Sequence, residues 1–197
     1  MIPKILHMIW IGPNPFPYEA NFQRYVDLHP SWKIMFWTDK NLPKLKNKKI
    51  YNSIPIYATK ADLLRLEVLA LYGGVYVDAD SFPLKPLDGM VSGIRDLFVT
   101  TNSKGRFEIN CMGCPAKNAK MICLVKGFEK YWRKLGKKED VHDCYCVYRY
   151  IRRSLKKMGC VQIERIYNCF VEEMTKETYI VQLMDHTWND NKYFRRE

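Results

Sequence analysis

The 197-residue sequence lacks the features of several specialised classes of protein. No stretch approaches the ~20 consecutive apolar residues that span a bilayer. The first residues, Met1 to Gly12, have neither the basic region nor the long apolar run of a signal peptide. Seven cysteines are an odd number, which disfavours a disulfide framework. These observations predict a cytoplasmic globular protein whose membrane contact, where it has one, is peripheral.

Acidic residues are also scarce relative to basic ones. The chain has 32 Lys and Arg against 21 Asp and Glu, which gives a formal net charge of +11. Such a surface attracts anions, but net charge does not distinguish nucleic acid, an anionic membrane and a phosphorylated small molecule. The length suits one domain with a sizeable core, so we expect a single domain over residues 1–197.

Short apolar runs alternate with helical patterns along the chain, which predicts an α/β fold with a mixed, mostly parallel central sheet flanked by helices. The strongest helix covers residues 58–72, with Thr59 as its predicted N-cap. Its expected apolar stripe consists of Ala61, Leu64, Val68 and Leu71. Gly73 and Gly74 then supply the usual left-handed terminator, and a brief apolar strand follows.

An acidic pair, Asp78 and Asp80, comes directly after that strand. Two carboxylates so close together are unfavourable unless a cation lies between them, and hard oxygen ligands suit Mg²⁺ or Mn²⁺. The carboxyl ends of strands are where open α/β sheets bind their ligands. The pair therefore predicts a metal–diphosphate site, although an exposed acidic turn would have the same residues.

Asp62 and Arg65 lie three residues apart on the long helix and share one face of it. The simplest interpretation is a local ion pair worth only ~0.2–0.5 kcal/mol. Alternatively, Arg65 contacts a phosphate or sugar oxygen while Asp62 accepts hydrogen bonds from sugar hydroxyls. Spacing alone does not decide between the two.

Several runs of the sequence together resemble the signature of glycosyltransferase family 32, whose members carry a DXD sugar-binding motif. Residues 61–65 (ADLLR) and 71–80 (LYGGVYVDAD) resemble the core of that signature. The opening residues 2–12 (IPKILHMIWIG) resemble the family's first strand, and residues 32–39 resemble its second. The likeness is to initiating α-mannosyltransferases and capsular polysaccharide sugar transferases and, more distantly, to clostridial glucosylating toxins.

The resemblance implies a GT-A-type, Rossmann-like fold, a UDP- or GDP-hexose donor, Mn²⁺ or Mg²⁺ as cofactor, and retention of anomeric configuration. It implies that residues 1–90 form the nucleotide-sugar-binding half and residues 91–197 the acceptor-side half with a C-terminal tail. The predicted acceptor is a glycan or another hydroxyl compound, including a lipid-linked one. The basic stretch at residues 126–157 is then a candidate contact with a membrane or with that acceptor.

The resemblance also assigns roles to individual residues. The metal ligands it implies are Asp78, Asp80 and His186. The nucleotide- and donor-binding residues it implies are Ile9, Trp10, Asp62, Arg65, Tyr76 and Asp78. The catalytic residues it implies are Asp62, Arg65, Asn110 and Trp188. Two of these residues have a simpler explanation. Trp10 lies in an apolar strand and can be a core packing residue, and His186 can be a surface histidine.

Two other classes of protein compete with this interpretation. A strand that ends in Asp-x-Asp also opens the haloacid-dehalogenase-type phosphatases, whose first Asp is a nucleophile. That motif begins the chain in those enzymes, whereas Asp78 follows 77 residues here. The positive charge alone suggests a nucleic-acid-binding protein, but no zinc-finger, RRM or helix-turn-helix pattern is present. We therefore expect no nucleic-acid partner.

Overall fold

The computed structural model describes residues 1–102, 104–135, 145–164, 168–170 and 174–183. The strands in this part of the chain are β1 (Ile5–Ile9), β2 (Lys33–Trp37), β3 (Gly74–Val77), β4 (Ser81–Pro83), β5 (Phe98–Thr101), β6 (Phe107–Cys114), β7 (Val161–Ile163), β8 (Asn168–Phe170) and β9 (Ile180–Gln182). The helices there are α1 (Glu19–Leu28), α2 (Lys48–Ser53), α3 (Tyr57–Tyr72), α4 (Asp88–Val91), α5 (Ala119–Leu135) and α6 (Cys146–Met158).

Six strands form the central sheet in the order β2-β1-β3-β6-β5-β7. Only β6 runs against its neighbours, so the predicted mixed, mostly parallel sheet is confirmed. The chain reverses before β6 in a hairpin, where Asn102 N–H donates to the Arg106 carbonyl (2.9 Å) and Gly105 has a φ of 64°. As a result, the carboxyl ends of β1, β2 and β3 meet the amino end of β6 at one edge, the carboxyl edge of the sheet.

The connections around β1 create a crevice at that edge. The chain passes from β1 to β2 through α1, whose buried Tyr25 packs into the core on one face of the sheet. It passes from β2 to β3 through α2 and α3, which pack into the core on the other face together with α5 and α6. The strand order therefore switches direction between β1 and β3, and such switch points are where open α/β sheets bind ligands.

A second, small sheet joins β4, β9 and β8, with β4 antiparallel to β9. The sheet was not expected from the sequence, because it pairs segments that lie far apart in the chain. The small sheet continues the chain directly from the acidic pair, since β4 begins at Ser81. None of the helices in the described part of the chain is long and apolar enough to cross a membrane.

Helix α3 differs from its sequence prediction in two respects. It begins at Tyr57 after an extended Ile56, no side chain caps it, and the predicted cap Thr59 is buried inside the first turns. Almost every position from Thr59 to Leu69 is buried, whereas Leu71 is 47% exposed. The predicted cap and single apolar stripe are wrong because α3 lies between the sheet and helices α5 and α6 and is covered on both sides.

The Gly73-Gly74 junction after α3 is confirmed as a left-handed terminator. Gly73 has a φ of 67° and Gly74 a φ of 96°. A Cβ on Gly73 would lie 2.5 Å from the Ala116 nitrogen, and one on Gly74 would lie 2.5 Å from the Ile5 carbonyl oxygen. Only glycine fits both the conformation and the space, so this junction fixes where β3 enters the sheet.

His7 is a fully buried histidine that joins β1 to this junction. Its Nε2–H donates to the Gly73 carbonyl (2.9 Å), while its Nδ1 accepts a hydrogen bond from Trp37 Nε1–H (3.0 Å). Both ring nitrogens are used by the neutral form, and burial lowers the pKa of His7 to about 4. His7 is therefore a core histidine with a hydrogen-bond partner on each ring nitrogen.

This geometry predicts an acid-labile contribution to stability. The unfolded chain takes up a proton on His7 near pH 6.5, whereas the folded protein does not until about pH 4, so stability is lost as the pH falls between those values. Between pH 7 and pH 5 the loss is about 2 kcal/mol. Urea denaturation of wild type and His7→Gln at both values measures it, since the variant lacks this contribution. A His7 ring that titrates near pH 6.5 by NMR in the folded protein would contradict the prediction.

Candidate functional site

The acidic pair lies on a tight turn that the fold holds at two points. The Asp78 carbonyl accepts hydrogen bonds from Ser81 N–H (3.2 Å) and Ser81 Oγ–H (2.5 Å), which closes the turn between β3 and β4. Because the Ser81 hydroxyl donates there, Tyr25 Oη–H donates to Ser81 Oγ (2.8 Å). The Asp80 carbonyl accepts Leu183 N–H (3.0 Å), immediately after β9. Tyr25 and Leu183, which are distant from the turn in the sequence, thus help to hold it in place.

Arg65 lies beneath the turn and binds three parts of the site at once. Its guanidinium contacts Asp62 Oδ1 (2.7 Å) and Asp78 Oδ1 (3.2 Å), and it donates to the Ile109 carbonyl (2.6 Å). It also stacks on the Tyr76 ring, 4.4 Å from the centroid. The side chain is 7% exposed, so the Asp62–Arg65 pair is not the solvated surface pair that its spacing allowed.

Burial and mutual repulsion shape the titration of this group. Burial, opposed by Arg65, raises the pKa of Asp62 to about 6. Burial also raises the pKa of Asp78, although Arg65 and the hydrogen bond from Tyr76 Oη–H (2.7 Å) oppose the change. Burial alone would lower the pKa of Arg65, but Tyr76 and the surrounding carboxylates raise it. Arg65 therefore stays charged at every physiological pH.

The described side chains of the site carry more negative than positive charge. Arg65 interacts with three carboxylates, those of Asp62, Asp78 and Asp80. Within the described residues, no group of three or more His, Cys, Asp or Glu side chains is placed to hold a metal ion by itself. Mg²⁺ and similar ions are usually held by one or two carboxylates together with waters and substrate phosphates. The acidic pair and the charge surplus therefore fit a hard divalent cation.

The amino end of β6 closes the other side of the site. The Asn110 carbonyl accepts Asp78 N–H (2.8 Å), and the neighbouring Ile109 carbonyl is the one that Arg65 contacts. Both residues lie at an irregularity in the pairing of β5 with β6. Asn110, which the family resemblance singled out, thus lies beside Asp78.

Ile9, the last residue of β1, and Trp10, which follows it, lie at the part of the crevice that β1 forms. Ile9 is 4% exposed and its side chain packs in the core, so it offers the crevice only its backbone. Trp10 is half-buried, its Nε1–H donates to the Asn14 carbonyl (2.9 Å), and its ring meets Phe16 edge to face. The position of Trp10 is therefore compatible both with a packing role and with contact to a ligand in the crevice.

The structure brings together five of the predicted site residues: Asp62, Arg65, Tyr76, Asp78 and Asn110. Asp80 follows on the same turn. Two predicted residues, His186 and Trp188, lie outside the described residues. Sequence reasoning missed the supporting contacts from Ser81, Tyr25 and Leu183, because no local pattern announces hydrogen bonds between such distant segments.

Solved structures define the fold class. The chain resembles the PaToxG glycosyltransferase with a TM-score of 0.59 and 17% identity, covering 80% of this chain and 70% of that one. It resembles the galactosyltransferase LgtC, solved with donor and acceptor sugar analogs, with a TM-score of 0.57 and 11% identity over 90% and 86% of the chains. A glycosyltransferase involved in glycosylation of the major capsid of PBCV-1 matches over 92% and 94%, with a TM-score of 0.56 and 10% identity. The fold is the GT-A fold.

A family description matches a large part of the first half of the chain. Residues 15–98 are similar to the family described as the glycosyltransferase sugar-binding region containing DXD motif. Asp62, Arg65, Tyr76 and the acidic pair all lie within the matched residues. This likeness favours the glycosyltransferase interpretation over the phosphatase and nucleic-acid alternatives.

Curated relatives match part of the chain. Mannosyl phosphorylinositol ceramide synthase SUR1 of Saccharomyces cerevisiae is 26% identical over 67% of this chain and 37% of its own. The uncharacterized glycosyltransferase L373 of Acanthamoeba polyphaga mimivirus is 32% identical over 54% of this chain and 46% of its own. The chain thus spans less than half the length of these relatives.

Proposed function

We propose that the protein is a metal-dependent retaining glycosyltransferase that moves a hexose from a nucleotide diphosphate sugar to a hydroxyl acceptor. The observation that carries the proposal is the acidic turn of Asp78 and Asp80, fixed above a buried Arg65 at the switch point of a GT-A fold. One relative, from the YGT toxin, was solved with UDP bound, and several sequence relatives are named mannosyltransferases. UDP- and GDP-hexoses are therefore the donors to test.

The chemistry requires stabilisation of a leaving diphosphate. A divalent cation bound at the acidic turn would neutralise the charge that grows on that group. Arg65 adds a positive charge that is already oriented before the reaction begins, which is the favourable arrangement for charge stabilisation. Asp80 and Asp78 are the proposed ligands, with Asp78 reaching the cation directly or through a water or a donor hydroxyl.

The proposed transfer with retention breaks one bond, forms one bond and moves one proton. The bond between the anomeric carbon and the phosphate oxygen breaks, and a bond from that carbon to the acceptor oxygen forms on the same face. The acceptor proton passes to the departing phosphate oxygen. We assign Asp62 and Asn110 to orienting the sugar, and Trp10 and Tyr76 to the nucleoside side of the crevice.

We include His186 and Trp188 in the proposed site because the residues just before them lie next to the acidic turn. Leu183 N–H donates to the Asp80 carbonyl, and His186 comes three positions after Leu183. Three extended residues span at most ~11 Å, so His186 is within reach of the acidic turn as a further metal ligand. Trp188 is proposed to lie over the leaving phosphate.

The acceptor and location are proposed from charge and from the relatives. Inositol phosphoceramide and mannosyl phosphorylinositol ceramide appear in the relatives' names, which suggests a lipid-linked acceptor here, with a glycan as the alternative. Helix α6 places Arg153, Lys156 and Lys157 on its exposed surface. Basic residues near an anionic membrane contribute about 1 kcal/mol each, which supports peripheral contact with a membrane from the cytoplasmic side.

A thermal-shift experiment tests the donor and the metal together. We expect Mn²⁺ plus the correct nucleotide sugar to raise the melting temperature, whereas either alone raises it much less, because a ligand that binds only the folded state stabilises it. The panel contains UDP-glucose, UDP-galactose and GDP-mannose, each with and without Mn²⁺. Absence of any shift across the panel, together with a shift on adding DNA or RNA, would contradict the proposal.

A further inference from the structure

The acidic turn is held from both faces of the central sheet. On one face, Arg65 of α3 contacts the Asp78 carboxylate (3.2 Å). On the other face, Tyr25 of α1 belongs to the core cluster that contains Val77 and Ala79, the residues on either side of Asp78 in the chain. Tyr25 is fully buried, so it can influence a bound ligand only through the turn.

Two consecutive hydrogen bonds join Tyr25 to the backbone of the turn. Ser81 Oγ–H donates to the Asp78 carbonyl (2.5 Å), and a carbonyl oxygen accepts but cannot donate, so the Ser81 proton is used there. The Tyr25 hydroxyl, 2.8 Å from Ser81 Oγ, is therefore the donor of the second bond. Tyr25 and Ser81 are both fully buried, and a hydrogen bond lost from a buried group costs more than one lost at the surface.

The position of Tyr25 is fixed because other side chains of this segment bind β4 and the chain before α4. Arg24 Nε–H donates to the Pro83 carbonyl (2.8 Å). His29 Nδ1–H donates to the Tyr25 carbonyl (2.7 Å), and His29 Nε2 accepts Leu87 N–H (2.9 Å). The Tyr25 hydroxyl is thus a fixed point against which the acidic turn is held.

The carbonyl that this relay holds controls the relative placement of the two acidic side chains. The Asp78 carbonyl is part of the peptide unit that joins Asp78 to Ala79. Because a peptide unit is planar, rotating it changes the direction in which the chain continues to Asp80. Mg²⁺ demands near-ideal octahedral geometry, so two carboxylates serve it together only while their separation is maintained. A rotated carbonyl would weaken a cation site although both carboxylates are still present.

We propose that Tyr25 is a positioning residue for the cation at the acidic turn: its hydroxyl, acting through Ser81, holds the Asp78 carbonyl so that Asp78 and Asp80 face the cation together. The inference rests on the proposed function, in which these two residues bind the metal. Tyr25 acts through the backbone and is not itself assigned a contact with the metal or the donor.

Two single variants and their combination test the relay. Tyr25→Phe removes only the donor hydroxyl, and Ser81→Ala removes the group that passes its effect to the turn. Tyr51→Phe is the matched control, because Tyr51 is 3% exposed in the core on the other face of the sheet. Its hydroxyl has no hydrogen-bond partner among the described residues. The measurements are the melting temperature, the Mn²⁺ affinity by calorimetry with UDP or GDP, and the Mn²⁺ dependence of hydrolysis of UDP-glucose, UDP-galactose and GDP-mannose.

We expect Tyr25→Phe to weaken Mn²⁺ binding about tenfold at a temperature where the variant is fully folded, the typical effect of one lost hydrogen bond to a buried group. The Mn²⁺ concentration for half-maximal hydrolysis should rise by the same factor. At saturating Mn²⁺, kcat should return to within about threefold of wild type, because binding of the cation itself draws the carboxylates into place. Tyr51→Phe should bind Mn²⁺ within about twofold of wild type.

The double variant tests the route of the effect. Ser81→Ala should weaken Mn²⁺ binding at least as much as Tyr25→Phe, and the two changes together should equal Ser81→Ala alone within about twofold, because residues that act in series are not additive. A further loss in the double variant would overturn the proposed route through Ser81. Unchanged Mn²⁺ affinity in Tyr25→Phe, or an equal loss in Tyr51→Phe, would overturn the role of Tyr25. If Tyr25→Phe does not fold, unchanged affinity in Ser81→Ala overturns the proposal instead.

Amide hydrogen exchange gives a readout without metal or donor. Ser81 N–H donates to the Asp78 carbonyl across the turn (3.2 Å), so its exchange rate reports how firmly that carbonyl is held. Exchange of Ser81 N–H should be at least about threefold faster in Tyr25→Phe than in wild type and unchanged in Tyr51→Phe. Equal rates in all three proteins would contradict the proposal.

The outcomes separate this inference from the proposed function. If wild type neither binds Mn²⁺ with UDP or GDP nor hydrolyses any of the three donors, the proposed function fails and the role of Tyr25 fails with it. If wild type binds Mn²⁺ and Tyr25→Phe binds it equally well, only the role of Tyr25 is removed.

Discussion

Asp80→Asn is expected to lower metal-dependent donor hydrolysis and transfer by about 100-fold or more, the equivalent of roughly 3 kcal/mol of transition-state stabilisation. The substitution keeps the size of the side chain and leaves the backbone contact of residue 80 with Leu183 in place. It removes one of the carboxylates that produce the charge surplus around Arg65. Affinity for Mn²⁺ should fall with the activity, as measured by calorimetry in the presence of UDP or GDP.

The control for that experiment is Asp27→Asn, which makes the same change of charge on the exposed surface of α1. It should leave activity and Mn²⁺ affinity at wild-type values. Both variants should unfold in urea within about 1 kcal/mol of wild type, since neither change affects a packed core. Full activity in Asp80→Asn would refute the assignment of Asp80 as a metal ligand.

Arg65→Met should destabilise the protein by about 3–5 kcal/mol, because it removes a buried cation and leaves the partly buried carboxylates of Asp62 and Asp78 without it. The Ile109 carbonyl also loses a hydrogen bond. Urea denaturation at pH 7 measures the loss. Arg65→Lys keeps the charge but not the planar fork that bridges the two acids, so it should be intermediate in stability.

An exposed pair of similar spacing provides the comparison. Arg133 and Glu129 lie one turn apart on α5 with their charged atoms 2.6 Å apart, and their side chains are 76% and 56% exposed. Arg133→Met should change the free energy of unfolding by no more than about 0.5 kcal/mol. Equal effects of Arg65→Met and Arg133→Met would show that the Asp62–Arg65 pair is an ordinary surface pair after all.

The contrast between these two pairs shows what a sequence can and cannot reveal. Spacing correctly paired Asp62 with Arg65, but only the fold shows that the pair is buried beneath the acidic turn, where its energetic weight is different. The same limit explains the errors on α3. Its N-terminus, stripe and cap were predicted from one helix in isolation, whereas packing on two sides buried Thr59 and left Leu71 exposed.

The sequence predicted correctly those features that depend only on neighbouring residues. Gly73 and Gly74 ended the helix as expected because their backbone conformation excludes other residues, and the acidic pair followed the strand as expected. Gly105 indicates a short hairpin before β6, and a hairpin predicts that this strand runs antiparallel to β5. No local pattern predicts the small sheet, since it depends on pairing between distant segments, and none predicts the irregular pairing at Asn110.

The hydrogen bond from Leu183 to the Asp80 carbonyl also bears on how the protein is made. It joins positions roughly one hundred residues apart in the chain, and contacts of such long range form late and slowly, because a large loop must close first. During translation, the acidic turn would leave the ribosome well before the strand that secures it. A nascent chain stalled in that interval would contain Asp78 and Asp80 but not the hydrogen bond from Leu183. We therefore expect metal binding at the acidic turn to develop only after β9 has been synthesised.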